Sequence, residues 1–190
     1  MPELPDTKRT RYIEELGLTP YDAHVLTLDK AVADYFDDVV AAGADAKSAA
    51  NWMTGDLFRV LNDANIARED IANTPLTAEK FAGMIKLVEG PTINAATARK
   101  DVMPVMLETG KDAATIVEEK GLAQISDPNL IADKVQEAID SNGDIVQKYL
   151  DGNDKVINAL FGKTMGALRG KGDPAVVRQV LQEKLDAMKA

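Results

Sequence analysis

Apolar residues recur along this chain at spacings of three and four, and no stretch sustains the alternation of a strand. Thr19-Pro20 predicts a helix start, with a hydroxyl cap, proline at the first helical position and Asp22 in the first turn. Leu28, Val32, Tyr35, Phe36, Val39 and Val40 carry the apolar face on to Gly43, where a helix should stop. Asp45 is placed to cap a second helix, with Ala49, Met53, Leu57, Val60 and Leu61 on one side and Trp52 beside them. Thr74-Pro75 breaks the chain, and Thr77 then precedes Phe81, Met84, Ile85 and Val88 up to Gly90-Pro91. A helix over about 93–108 contains Pro104, which demands a kink or a fresh start near it. Gly110 closes that helix, and a short one over 112–120 ends at Gly121.

The clearest boundary is Ser126-Asp127-Pro128, a cap followed by proline. Ile131, Val135, Ala138 and Ile139 form the next helix face, stopped by Asn142-Gly143. A short helix near 144–151 follows, then a long one from Asn153 to about Arg169. Asp173-Pro174 starts a last helix that buries Val177, Val180, Leu181, Leu185 and Met188. The first eleven residues hold two prolines and five charged residues without an apolar period, and read as a linker or the edge of something missing. The expectation is an all-α chain divided near 122–127, with a larger part first and a three- or four-helix unit last.

At 190 residues the chain is one large domain or two small ones. Its apolar fraction of 45% is that of a folded protein rather than a disordered one. No run approaches the roughly 18 apolar residues of a membrane span, and no signal peptide is visible, so a cytoplasmic protein without membrane contact is expected. The absence of cysteine excludes disulfides, thiolate nucleophiles and cysteine metal sites. Net charge is −9, but it is unevenly spread. Residues 143–190 carry eight Lys/Arg against six Asp/Glu, and the rest of the chain fourteen against twenty-five. Such asymmetry points to an end that binds polyanions, or to a mildly basic, solvated helix pair.

Catalytic chemistry is hard to place. Gly162-Lys163-Thr164 looks like part of a phosphate loop, but Ile157 stands where the motif needs glycine, and a helix precedes it instead of a strand. His24 has no second histidine with which to share a metal or relay a proton, and reads as a structural or surface residue. No calcium loop and no Ser/His/Asp arrangement occurs. No catalytic or metal-ligating residue is therefore expected.

The helix predicted from Asn153 to Arg169 is more informative. With Gly162 at 0° and 100° per residue, Lys155, Arg169 and Gly166 fall within about 40° and Gly170 at about 80°. Ile157, Leu160, Phe161 and Leu168 fall on the opposite side. One face is then apolar, and the other is a smooth glycine strip with a basic residue at each end. Each interior glycine destabilises a helix by roughly 1 kcal/mol relative to alanine, so a close backbone approach to this face is implied. The approaching backbone is either a phosphodiester, neutralised by Lys155, Lys163, Arg169 and Lys171, or another helix. Aromatic residues do not interleave with the basic ones, so base stacking is not expected.

The string also resembles the C-terminal part of the B subunit (GatB) of the tRNA-dependent amidotransferase. Pro2-Glu3-Leu4-Pro5-Asp6 through Arg11-Tyr12, Leu18-Thr19-Pro20-Tyr21-Asp22-Ala23 and Ala33-Asp34-Tyr35-Phe36 follow in family order. Ala49-Ala50-Asn51-Trp52 with Leu61-Asn62 is the most recognisable block, and Ile116 to Leu122 with Gln124-Ile125-Ser126-Asp127 is nearly as specific. The tail is similar to YqeY-like proteins at Gly152, Lys155, Leu160, Gly162, Met165, Gly170-Lys171, Pro174, Leu181 and Leu185. Two departures stand out: Gly166 replaces a lysine common in the family, and Lys163 replaces a glutamine.

The resemblance implies a division into a linker (1–18) from an absent catalytic domain, a helical domain (19–125) and a YqeY-like tail domain (126–190). It implies a region that holds and orients tRNA(Gln) or tRNA(Asn) within a glutamine-hydrolysing, ATP-dependent C–N ligase of protein biosynthesis. ATP and magnesium would belong to the catalytic region and not to this chain, and GatA and GatC would be partner subunits. The implied tRNA contacts are Lys155, Gly162, Lys163, Gly166, Arg169, Gly170 and Lys171, with no role in binding DNA. Trp52 is expected to be buried and Asn51 to bond backbone. The alternative is a helical module that docks partner subunits without touching RNA.

Overall fold

A computed structural model describes residues 3–189; Met1, Pro2 and Ala190 lie outside the described residues. Pro2 is thus the one member of the Pro2–Asp6 match that cannot be placed. The described residues are helical, without a strand; an isolated parallel bridge joins Ile125 to Gly172. The chain divides into two compact units: Met1–Gly90 with Ala98–Gly121, and Pro91–Thr97 with Leu122–Ala190.

The first unit begins with α1 (Pro5–Glu14), so the charge-rich opening is helical. It lacks an apolar period because ion pairs hold it in place. Lys8 Nζ lies 2.6 Å from Asp34 and 2.7 Å from Asp37, and Arg11 reaches Asp37 at 3.0 Å. The one buried residue of α1, Tyr12, donates its hydroxyl to the Ala33 carbonyl at 3.0 Å and packs edge-on against Phe36. Lys30 and then Lys8 hold the Asp34 carboxyl below its ordinary value by hydrogen bonding.

The helix expected from Pro20 to Gly43 is two. α2 (Pro20–Leu26) is capped by Thr19, and α3 (Lys30–Ala41) by Asp29, whose carboxylate accepts from Ala31 and Val32. Thr27 and Asp29 both compete for backbone hydrogen bonds, which breaks the helix between them. Leu28, expected on the apolar face, is consequently 66% exposed. Tyr35 donates to the Leu76 carbonyl at 2.9 Å and ties α3 to the turn before α6 (Ala78–Glu89).

Between them, α4 (Ala46–Trp52) begins at the Asp45 cap and passes through a π-helical turn, Met53–Leu57, into α5 (Phe58–Asp63). The expected helix near 93–108 contains a similar turn. α7 (Ala95–Thr97) leads through the π turn Ala98–Val102 into α8 (Met103–Thr109). Pro104 lies in the first turn of α8, so its missing N–H and its ring are accommodated by widening the helix just before it. The two π turns are joined by Arg99 Nε to Asp56 Oδ2 at 2.7 Å. α9 (Ala113–Glu119) packs on α6 and completes this unit.

The second unit comprises α10 (Pro128–Asp140), α11 (Gly143–Leu150), α12 (Ile157–Ala167) and α13 (Pro174–Lys189), with Pro91–Thr97 added from earlier in the chain. Asp127 caps α10 through the Asn129 amide, and Asp173 caps α13 through Ala175 and Val176. Ile131, Val135, Ile139, Val146, Tyr149, Leu160, Leu168, Val177, Leu181 and Leu185 form its core. Met188 is 44% exposed, so the buried stripe of α13 stops one turn before the end of the expected face.

Candidate nucleic-acid interface

α12 carries the candidate surface, and its inward side is fixed by packing. Leu160 is fully buried. Thr164 is fully buried too and satisfies its hydroxyl by donating to the Leu160 carbonyl at 2.9 Å. Phe161 packs partly against the core, with the Arg178 guanidinium 4.7 Å from its ring centre. Arg178 also donates to Asn158 Oδ1 and is thereby drawn away from the candidate set.

The outward side is open. A Cβ added at Gly162 or at Gly166 would have nothing within 4 Å. Close packing of a helix from this same chain, one of the two sequence readings, is therefore not what the glycines accommodate among the described residues. Gly162, Lys163 and Gly166 share this exposed helical surface.

The helical projection fails at both ends. Lys155 stands in a 3-10 turn, Asp154–Val156, before α12 begins. α12 ends at Ala167, Leu168 is its C-cap, and Arg169 (φ 53°) and Gly170 (φ 75°) turn into the left-handed region. The physical reason is the C-terminal closure: Gly170 N–H bonds the Met165 carbonyl and Arg169 N–H the Gly166 carbonyl, which stops the helix. Lys155, Lys163 and Arg169 are all exposed, and among the described residues no carboxylate lies within 4.0 Å of them. Lys171 is half-buried in the loop that follows.

That loop is braced from two distant stretches of sequence. Ile125 N–H donates to the Lys171 carbonyl at 2.7 Å, and Asp173 N–H to the Ile125 carbonyl at 2.9 Å. Asn94 Nδ2 donates to the Gly170 carbonyl at 2.8 Å. Gly172 is enclosed: a Cβ there would fall 2.6 Å from Leu168 Cδ1 and 3.2 Å from Val177 Cγ2. With the Gly170 and Lys171 carbonyls bonded from these stretches, the loop is held in place and can offer a ligand its side chains. Neither the Asn94 nor the Ile125 contact is apparent from sequence; the one local clue to the first is asparagine just before a helical stretch, where its Oδ1 caps Thr97 N–H.

Elsewhere, Trp52 is buried, with Arg99 5.1 Å over its ring. Asn51 departs from expectation. It is exposed and, among the described residues, makes no side-chain hydrogen bond, because Ala49, Ala50 and Trp52 take the inward positions of α4. His24 is exposed on α2. Among the described residues no group of three or more His, Asp or Glu is placed to hold a metal ion, and no helix is long and apolar enough to cross a membrane.

The GatB domain family matches residues 34–185. The B subunit of the aspartyl/glutamyl-tRNA(Asn/Gln) amidotransferase from Caldicellulosiruptor bescii is 44% identical over 98% of this chain. Its counterpart from Bacillus velezensis is 46% identical over 97%, and that from Enterococcus faecalis 43% over 97%. The chain spans 38% of the length of each of these relatives.

Proposed function

Because the chain belongs to the GatB domain family, we propose that it is the non-catalytic, tRNA-holding C-terminal region of a GatB protein that amidates mischarged glutamyl-tRNA(Gln) or aspartyl-tRNA(Asn). One observation carries this reading: an open glycine surface on α12 that also bears Lys163, with Lys155 in the turn before the helix and Arg169 just past its end, none of the three with a carboxylate partner among the described residues. A phosphodiester backbone suits such a surface. The glycines let it approach the helix closely, and the three cations neutralise phosphates without sequence readout. Base stacking has no part, since Phe161 is engaged by the core and by Arg178. The recognised feature is therefore the shape of a folded RNA.

Amidation would be completed in the cytoplasm with GatA and GatC as partner subunits. ATP and magnesium, implied by the family, are proposed to belong to the catalytic region and not to these residues. Among the described residues no donor set for a metal ion exists, and Gly162-Lys163-Thr164 lies inside a helix with no phosphate loop around it. No step through either group is assigned to these residues. The linker (1–18), helical (19–125) and tail (126–190) division is likewise proposed from the family resemblance.

The glycine surface gives a test that separates binding from folding. The Cβ of a leucine at Gly166 meets nothing within 4 Å, and the substitution should raise helix stability by roughly 0.5–1 kcal/mol, since glycine is the poorer helix former. The same side chain blocks the approach of a backbone. Gly166→Leu is expected to raise the thermal midpoint while weakening binding to a tRNA transcript at least tenfold. Unchanged affinity in that variant would remove the glycine face from the interface.

A further inference from the structure

We infer that Asn94 is the positioning residue for the basic loop Arg169–Lys171, acting from 76 residues away in sequence to set its backbone for RNA contact. The inference rests on the RNA reading above and names a residue outside the candidate set. Asn94 is 9% exposed, and both ends of its amide are used. Nδ2 donates to the Gly170 carbonyl at 2.8 Å, and Oδ1 accepts from Thr97 N–H at 2.9 Å. These two opposite demands fix which way the amide points.

The loop needs such a support. Arg169 is held at φ 53°, a conformation that L-residues other than glycine rarely adopt, and Gly170 follows at φ 75°. Hydrogen bonds from the α12 end, Arg169 to Gly166 and Gly170 to Met165, close the helix but leave the carbonyls of the loop to be satisfied elsewhere. Ile125 takes the Lys171 carbonyl through its backbone. Asn94 takes the Gly170 carbonyl, and its side chain thereby fixes the Gly170–Lys171 peptide. Preorganisation of this kind removes ordering entropy that RNA binding would otherwise have to overcome.

The test is binding of an unmodified tRNA transcript to the 190-residue chain and its variants across salt concentration. Asn94→Ser keeps a hydroxyl to cap Thr97 but is too short to serve Gly170. It is expected to weaken binding about three- to tenfold, the size of one lost hydrogen bond, with the salt slope unchanged. Arg169→Ala, by contrast, should lower the slope by about one phosphate contact. With alanine already at 169, adding Asn94→Ser should cost less affinity than it does alone, because part of its effect runs through Arg169. Should Asn94→Ser lose cooperative unfolding, Asn94→Asp serves instead: it caps equally well and cannot donate. Wild-type chain that binds while the Asn94 variant binds equally, or effects at 94 and 169 that multiply in full, would overturn the inference alone. Wild-type chain that binds no transcript would overturn the RNA reading and this inference with it.

Discussion

Glutamate at Lys155, Lys163 and Arg169 together is expected to reduce tRNA affinity by about a thousandfold near 0.1 M salt, roughly a decade for each phosphate contact removed. The three residues are exposed, and among the described residues none is paired with a carboxylate, so their replacement breaks no ion pair of the fold. Arg169 keeps its left-handed backbone with any L-residue, so glutamate there is no more strained than arginine. Filter binding or fluorescence anisotropy with a tRNA transcript reads the loss, and circular dichroism checks that helix content is retained. Affinity unchanged by the triple variant would favour the second reading, a helical module that docks partner subunits through its acidic surface.

Leu160→Ala should act in the opposite manner, on the fold first. Leu160 sits in the core of the second unit at zero exposure, two residues from the open face at Gly162. Truncation removes buried methyl groups and leaves a cavity, at a cost of about 2–5 kcal/mol. Urea denaturation followed by circular dichroism measures it. A loss below about 1 kcal/mol would mean that α12 is not anchored as described. Set beside Gly166→Leu, this variant divides one helix into a side that holds the fold and a side that meets a ligand.

Much of the fold was legible because its signals are local. Asp127-Pro128 and Asp173-Pro174 start helices as a cap and a proline should, and Thr19, Asp45 and Thr77 each accept a first-turn amide. The buried positions of α12 also follow from spacing, since Leu160 and Phe161 turn inward while Gly162 and Gly166 do not. What sequence missed has causes that apolar spacing does not carry, some local and some distant. The break between α2 and α3 depends on Thr27 and Asp29 capturing backbone groups, which the apolar spacing alone conceals. The π turns follow from a shift in hydrogen-bond register that apolar spacing does not display. α1 is held by partners 26 and 29 residues away.

For the candidate site the same division applies. Residue types and spacing pointed to the glycine face and its cations. The projection nonetheless carried one helix through Arg169 and Gly170, where the closure of α12 turns the backbone left-handed. No periodicity could join Asn94 to Gly170, or Ile125 to Lys171, because only the folded unit brings those stretches together.

The most direct test of the central claim is equilibrium binding of the unmodified chain to an unmodified tRNA(Gln) transcript, measured across a salt series. Each phosphate contacted should contribute about 0.7–0.9 to the slope of log Kd against log salt. Three or four contacts by the α12 face and its loop give an expected total of roughly 2–4. Binding with that slope is the predicted result. No binding at low salt, or affinity indifferent to salt, would contradict it.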